Sequence, residues 1–153
     1  MTDTYHTLDG SGRAEHTVDG SRFLAEAAAV ASRAAAEETI ATVRAREHKA
    51  THHCSAYRLG VTGDTFRYDD DGEPSGTAGR PILRPIDACD LTNTLVAVTR
   101  SFGRTELGTG GLARAYGDAA AAALARADTV ERVVRTPLRI RYDYDDPAPA
   151  ERV

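Results

Sequence analysis

Thr94-Leu95-Val96-Ala97-Val98-Thr99-Arg100-Ser101-Phe102-Gly103-Arg104-Thr105-Glu106-Leu107-Gly108-Thr109-Gly110-Gly111-Leu112-Ala113-Arg114-Ala115-Tyr116 is the stretch that decides the fold. Its first six residues are an apolar run of strand length, which predicts a strand covered on both faces or central in a sheet. From Gly110 to Ala127, Leu112, Tyr116, Ala119, Ala120, Ala123 and Ala127 form a helical stripe whose small side chains let the helix lie close to a sheet. Between strand and helix, glycines permit close backbone approach, and the first helical turn offers unpaired N–H donors to a phosphate or carboxylate. Arg100, Arg104 and Arg114 would add fork-shaped donors around Gly108, Gly110 and Gly111. The alternative is that these glycines only turn the chain and let the alanine-faced helix pack closely. The residues leave both readings open.

Working outward, Arg22–Ala27 reads as a strand, and Ser32 offers an N-cap oxygen to a helix running to about Glu47. Ala36, Ile40 and Val43 fall on one face of that helix, with acidic residues toward its start and basic ones crowding its end, as the helix dipole favours. Ser55–Leu59 and Thr65–Tyr68 read as two strands joined by a turn at Gly60 and Gly63. Leu138, Ile140, Tyr142 and Tyr144 alternate with Arg139, Arg141 and Asp143, which predicts a last, half-buried strand. This order implies an α+β domain, with helices packed on a mixed sheet. Residues 1–13 read as a flexible arm, 14–142 as one domain, and 143–153 as an acidic tail containing proline.

At 153 residues the chain buries one core. No membrane span or leader pattern is visible, so a cytoplasmic protein without membrane contact is expected. Cys54 and Cys89 fit no CxxC pattern and read as buried free thiols. A net charge of −4 argues against tight duplex binding, while leaving room for a local basic patch.

The second informative segment is Asp69-Asp70-Asp71-Gly72-Glu73-Pro74-Ser75-Gly76-Thr77-Ala78-Gly79-Arg80-Pro81-Ile82-Leu83. Asp70, Asp71 and Glu73 offer oxygens to a hard cation such as Mg²⁺, while Ser75, Gly76, Thr77 and Gly79 offer hydroxyls and N–H groups to an anion near a helix start. The spacing matches neither an EF-hand nor a P-loop, and plain turn formation is the competing account. His52 and His53 are adjacent, so on a strand they point to opposite faces and do not share a metal. His53, which opens the strand, is the candidate to face the glycine-rich loops; a histidine hydrogen-bonded at a strand end is the alternative.

Together the two segments resemble the signature of the IMPACT/YigZ family. In it, an Asp-Asp-Gly-Glu-Pro-(Ser/Ala)-Gly-Thr-Ala-Gly loop precedes a Thr-Arg-Tyr-Phe-Gly-Gly…Leu-Gly-x-Gly-Gly-Leu-x-Arg-Ala-Tyr stretch. Ser21-Arg22-Phe23 and His52-His53-Cys54 with Tyr57 agree, and the resemblance runs from about Glu15 to Tyr142. It implies a fold like ribosomal protein S5 domain 2, a two-layer α/β sandwich with helices on one face. Family members carry a further domain, ferredoxin-like in YigZ proteins and partner-binding in IMPACT proteins, and the chain reads as a stand-alone version. Ser101-Phe102-Gly103-Arg104 departs from Tyr-Phe-Gly-Gly and removes one stacking surface, while Glu106 stands where lysine or an apolar residue is frequent. Pro85 would shorten or kink the helix beginning near Thr77.

The resemblance implies a role in translation regulation, linked in the family to a stress response. The expected act is non-enzymatic binding of RNA, a ribosomal element or a translation-associated protein through the two glycine-rich loops. The alternative is a Mg²⁺-dependent nucleotide- or phosphate-binding enzyme or switch using Asp70–Glu73 and Gly108–Gly111, although no general base or nucleophile is identifiable. Neither the ligand nor the oligomeric state follows from the sequence.

Overall fold

The run Thr94–Thr99 becomes the middle strand of the molecule. The computed structural model describes residues 2–102 and 107–135. In chain order the elements are β1 (Thr2–Asp9), β2 (Ser11–Val18), β3 (Ser21–Ala29), α1 (Arg33–Arg46), β4 (His52–Leu59), β5 (Thr65–Asp69), α2 (Gly79–Ala88), β6 (Thr94–Ser101), α3 (Gly108–Ala125) and β7 (Asp128–Arg135). A five-stranded sheet has the order β2-β3-β6-β4-β5, and β1 pairs with β7 in a separate two-stranded ribbon. Because β6 is central and covered on both faces, nearly every residue in it is buried.

The expected α+β class is present, but two details of the expectation change. Every pairing in the five-stranded sheet is antiparallel, where a mixed sheet was expected. The chain does run β3-α1-β4 and β5-α2-β6 between strands of the same direction, yet in each case a third, oppositely directed strand fills the gap. The helices also occupy both faces. Strand residues alternate, so Val96, Val98, Cys54 and Ala56 join Ile82 and Ile86 of α2 and Tyr116, Ala119 and Ala123 of α3 in the main core. Leu95, Tyr57 and Leu59 point the other way and pack with Ala36 of α1 and Val30.

Local chemistry sets the element ends. Ser32 caps α1 by accepting the Ala35 N–H at 3.1 Å, and Arg44 and Arg46 occupy its last turn. Pro85 lies inside the ten-residue α2. Against α3, Gly12 of β2 is held so close that a Cβ there would lie 2.3 Å from the Ala123 carbonyl oxygen.

Of residues 1–13, read as a loose arm, Thr2–Asp9 form β1 and Ser11–Arg13 begin β2. Leu8 is buried in the main core, the Thr92 N–H donates to the His6 carbonyl at 2.9 Å, and β1 pairs along its whole length with β7. A polar segment without period is thus ordered by backbone pairing to a distant strand. β7 is itself an element the sequence pattern did not announce. The strand expected over Leu138–Tyr144 and the tail 143–153 lie outside the described residues.

Candidate functional site

The acidic loop leaves β5 at Asp69 and turns at Asp71 and Gly72, both with positive φ, 41° and 88°. Its three candidate cation ligands are spent separately. The Asp70 carboxylate accepts the N–H groups of Gly76, Ala78 and Gly79 at 2.9, 3.1 and 2.8 Å. The anion at the start of α2 is therefore a side chain of the protein, which satisfies the donors that Gly76 and Gly79 were expected to offer a ligand. Asp71 accepts the His53 N–H at 2.7 Å and pairs with Arg44 at 3.2 Å. Burial alone would raise its pKa, but the His53 N–H and Arg44 outweigh burial and hold it below the usual aspartate value. Thr77 donates back to the Pro74 carbonyl, and Ser75 is exposed.

Glu73 turns inward. Its carboxylate receives both hydrogen bonds of Arg100 Nη1, at 3.0 and 2.9 Å, and that of the Tyr116 hydroxyl. Arg100 also reaches Ser21 Oγ through Nε and Nη2, at 3.4 and 3.3 Å. Side-chain exposures of 5% for Arg100 and 3% for Glu73 make this a buried ion pair. A row across three strands builds it, since Phe23 and His52 are the register partners of Arg100 on β3 and β4. The Arg100 guanidinium lies 4.4 Å from the Phe102 ring centroid and 5.7 Å from that of Phe23. His52 Nδ1 is 2.7 Å from the Asp71 carbonyl, which only accepts, so Nδ1 carries a proton. Its Nε2 sits 3.7 Å from Glu73 Oε1.

The two loops meet above this pair. Glu73 and Pro74 from the acidic loop and Arg100, Phe102, Leu107, Gly108, Thr109 and Leu112 from the second segment line one cleft of about 300 Å³. Its floor is a neutralised ion pair and its walls are largely apolar. Phe102 stands at the rim, 56% exposed. Gly108 has φ of 71°, a conformation that favours glycine where α3 begins.

Residues 19–124 match the family model of the Impact N-terminal domain. The chain belongs to the IMPACT family. It is 48% identical over 127 residues to an IMPACT family member of Thermus thermophilus, covering 78% of this chain and 67% of that protein. It is 38% identical over 144 residues to the IMPACT family member YvyE of Bacillus subtilis, covering 94% and 66%. A crystal structure of a hypothetical protein superposes with a TM-score of 0.82 at 32% identity, over 85% of this chain and 64% of that one. This chain thus spans about two thirds of the length of the relatives it matches.

The IMPACT signature therefore lands in two places. Glu73, Arg100 and Gly108 converge on the cleft, with Glu73 and Arg100 bound to each other rather than waiting for a cation and an anion. Gly110 and Arg114 face a different groove, shared with Pro81, Arg84 and Pro85 of α2, and Gly111 is half-buried beside Leu107. Arg104 and Glu106 lie outside the described residues. No cluster of three metal-binding side chains forms among the described residues, because Asp70, Asp71 and Glu73 point to different partners.

His53 was the candidate to face the loops, and strand parity reverses that choice. His52 shares the face of Cys54 and approaches Glu73, while His53 lies on the α1 side with Nε2 2.8 Å from the Glu47 carbonyl. Tyr116, legible only as part of a helical stripe, is the other residue the sequence left out; its hydroxyl links Glu73 to Cys54, whose sulfur is 3.4 Å away. Burial pushes both the Tyr116 phenol and the Cys54 thiol well above their ordinary pKa values. Both stay protonated at neutral pH, and Cys54 lacks the thiolate a nucleophile needs. Cys89, read as buried, is exposed at the end of α2.

Proposed function

We propose that this chain acts in translation control as a binding module that seats part of a ribosomal or translation-associated protein in the cleft between the acidic loop and the start of α3. Membership of the IMPACT family supplies the translation link. The observation that carries the binding reading is the exposed Phe102 ring over a cleft whose charged groups, Glu73 and Arg100, are already satisfied. Such a site gains free energy by covering apolar surface and has no unpaired charge to drive a reaction.

The Mg²⁺-dependent phosphate reading draws less support, since each carboxylate and several of the N–H donors it needs already have partners within the protein. A thermal-shift titration with nucleotides and Mg²⁺ is expected to be flat to millimolar ligand; a saturable rise in melting temperature would restore that reading.

The binding reading is tested by adding the purified chain to a cell-free translation reaction and following its sedimentation with ribosomal particles. The chain is expected to alter reporter output and to co-sediment, and Phe102→Ser and Leu107→Ser are expected to lose both effects. A chain that does neither, or a Phe102→Ser variant that acts as the wild type does, would sink the proposal.

A further inference from the structure

Away from the cleft, the outer side of α2 carries Arg80 and Arg84 one turn apart, hence on one face. Arg80 lies over the Tyr68 ring of β5, 5.4 Å from its centroid, and donates to the Tyr68 hydroxyl at 3.4 Å. Phe66, two residues earlier on β5 and therefore on the same sheet face, is 55% exposed. On the other side of Arg84 a groove of about 450 Å³ separates α2 from α3, with Arg84, Arg114 and one carboxylate, Asp118, among its lining. Both arginines are exposed, and neither has a carboxylate within ion-pair distance among the described residues. At Gly110, between them, an added Cβ would meet no atom within 4 Å, so the bare backbone there leaves space that the fold does not use.

We propose that this strip is a binding surface for a single-stranded polynucleotide. The guanidinium groups of Arg80, Arg84 and Arg114 would follow the phosphates, and the rings of Phe66 and Tyr68 would take stacked bases. The exposed Phe66 ring beside Arg84 and Arg114, two arginines without a carboxylate partner, is what selects this ligand: an acidic peptide would use the arginines and leave the ring idle. A rigid duplex needs a broad positive field, and the chain carries a net charge of −4. The surface shares no residue with the cleft, so this inference and the proposed protein-binding function stand or fall separately.

The test uses the full chain and a fluorescein-labelled single-stranded RNA of about 12 nucleotides, followed by anisotropy between about 50 and 200 mM KCl. A DNA strand of the same sequence, a hairpin duplex and polyglutamate serve as competitors. Saturable binding is expected, with a log–log salt slope near −2, from roughly 0.7 per phosphate contact for three arginines. The double variant R84Q/R114Q should bind about tenfold or more weakly at low salt and show a slope near −0.7, the one remaining contact. Phe66→Ala should weaken binding about fivefold or more without changing the slope. Gly110→Glu, whose Cβ is unobstructed, should weaken binding by placing a carboxylate in the groove, and it carries the test if the double variant melts abnormally. Absence of saturable binding at about 50 mM salt, wild-type affinity in R84Q/R114Q, or competition by duplex or polyglutamate equal to that of the single strand would each overturn the proposal. Relative competition by the RNA and DNA strands decides which polynucleotide it prefers.

Discussion

Arg100 and the Tyr116 hydroxyl replace the water that a side chain as deeply buried as Glu73 has lost. Truncation to Glu73→Ala leaves Arg100 charged and unpaired in the interior. It is expected to cost about 3–5 kcal/mol, read by urea denaturation, whereas an apolar pair of similar volume, E73L/R100M, should recover much of that loss. Asp71 gives a prediction in pH. Its folded pKa lies below the unfolded value, so its contribution is complete above about pH 4 and is lost as pH falls through the folded pKa. The stability difference between the wild type and Asp71→Asn should therefore be constant near neutrality and shrink in acid; a difference that grows in acid would contradict the assignment. At this scale the sequence displayed residue types but not their partners. Glu73 and Arg100 are 27 residues apart, and nothing in either loop says that one neutralises the other. Nor does it say that Asp70, rather than a ligand, fills the start of α2. The choice between His52 and His53 needed the strand register, which periodicity does not supply over two residues.

Elements with their own periodicity or caps were readable. Ser32, the charge order of α1, the alanine stripe of α3 and the apolar run of β6 all state their structure locally, and each is found where the pattern puts it. Ser32→Ala should cost about 1 kcal/mol through the lost cap, measured as a shift in urea midpoint at constant slope. Gly12→Ala is expected to be far worse than its place in a segment read as a flexible arm suggests. Its Cβ would press on the backbone of Ala123 in α3 and of Arg126 and Ala127 just after it, and backbone cannot rotate out of the way. A Gly12→Ala protein as stable as the wild type would show that β2 and α3 are not packed as described. β1 and β7 were illegible for the opposite reason. They are short on alternation and gain their order from pairing with each other across nearly the whole chain, as in Thr2↔Arg135.

At the scale of the molecule, the sheet order β2-β3-β6-β4-β5 explains why one cleft collects both signature loops. The ends of β5 and β6, parallel to each other on either side of β4, release their loops at the same edge. Glu73 and Phe102 thus arrive together although α2 separates them in sequence. The ribbon lies away from that cleft yet remains tied to the core through Leu8. Leu8→Ala should destabilise the protein by about 2–5 kcal/mol and should lower hydrogen-exchange protection in β7 as well as β1, since β1 is the strand with which β7 pairs. The ribbon also decides how the protein answers a pulling force. Thr2 and Arg135 face each other at one end of an antiparallel pair, so tension applied between them breaks the rungs one after another, like a zipper, instead of loading them all at once. Force applied between Thr2 and Arg135 should peel this ribbon before it loads the five-stranded sheet.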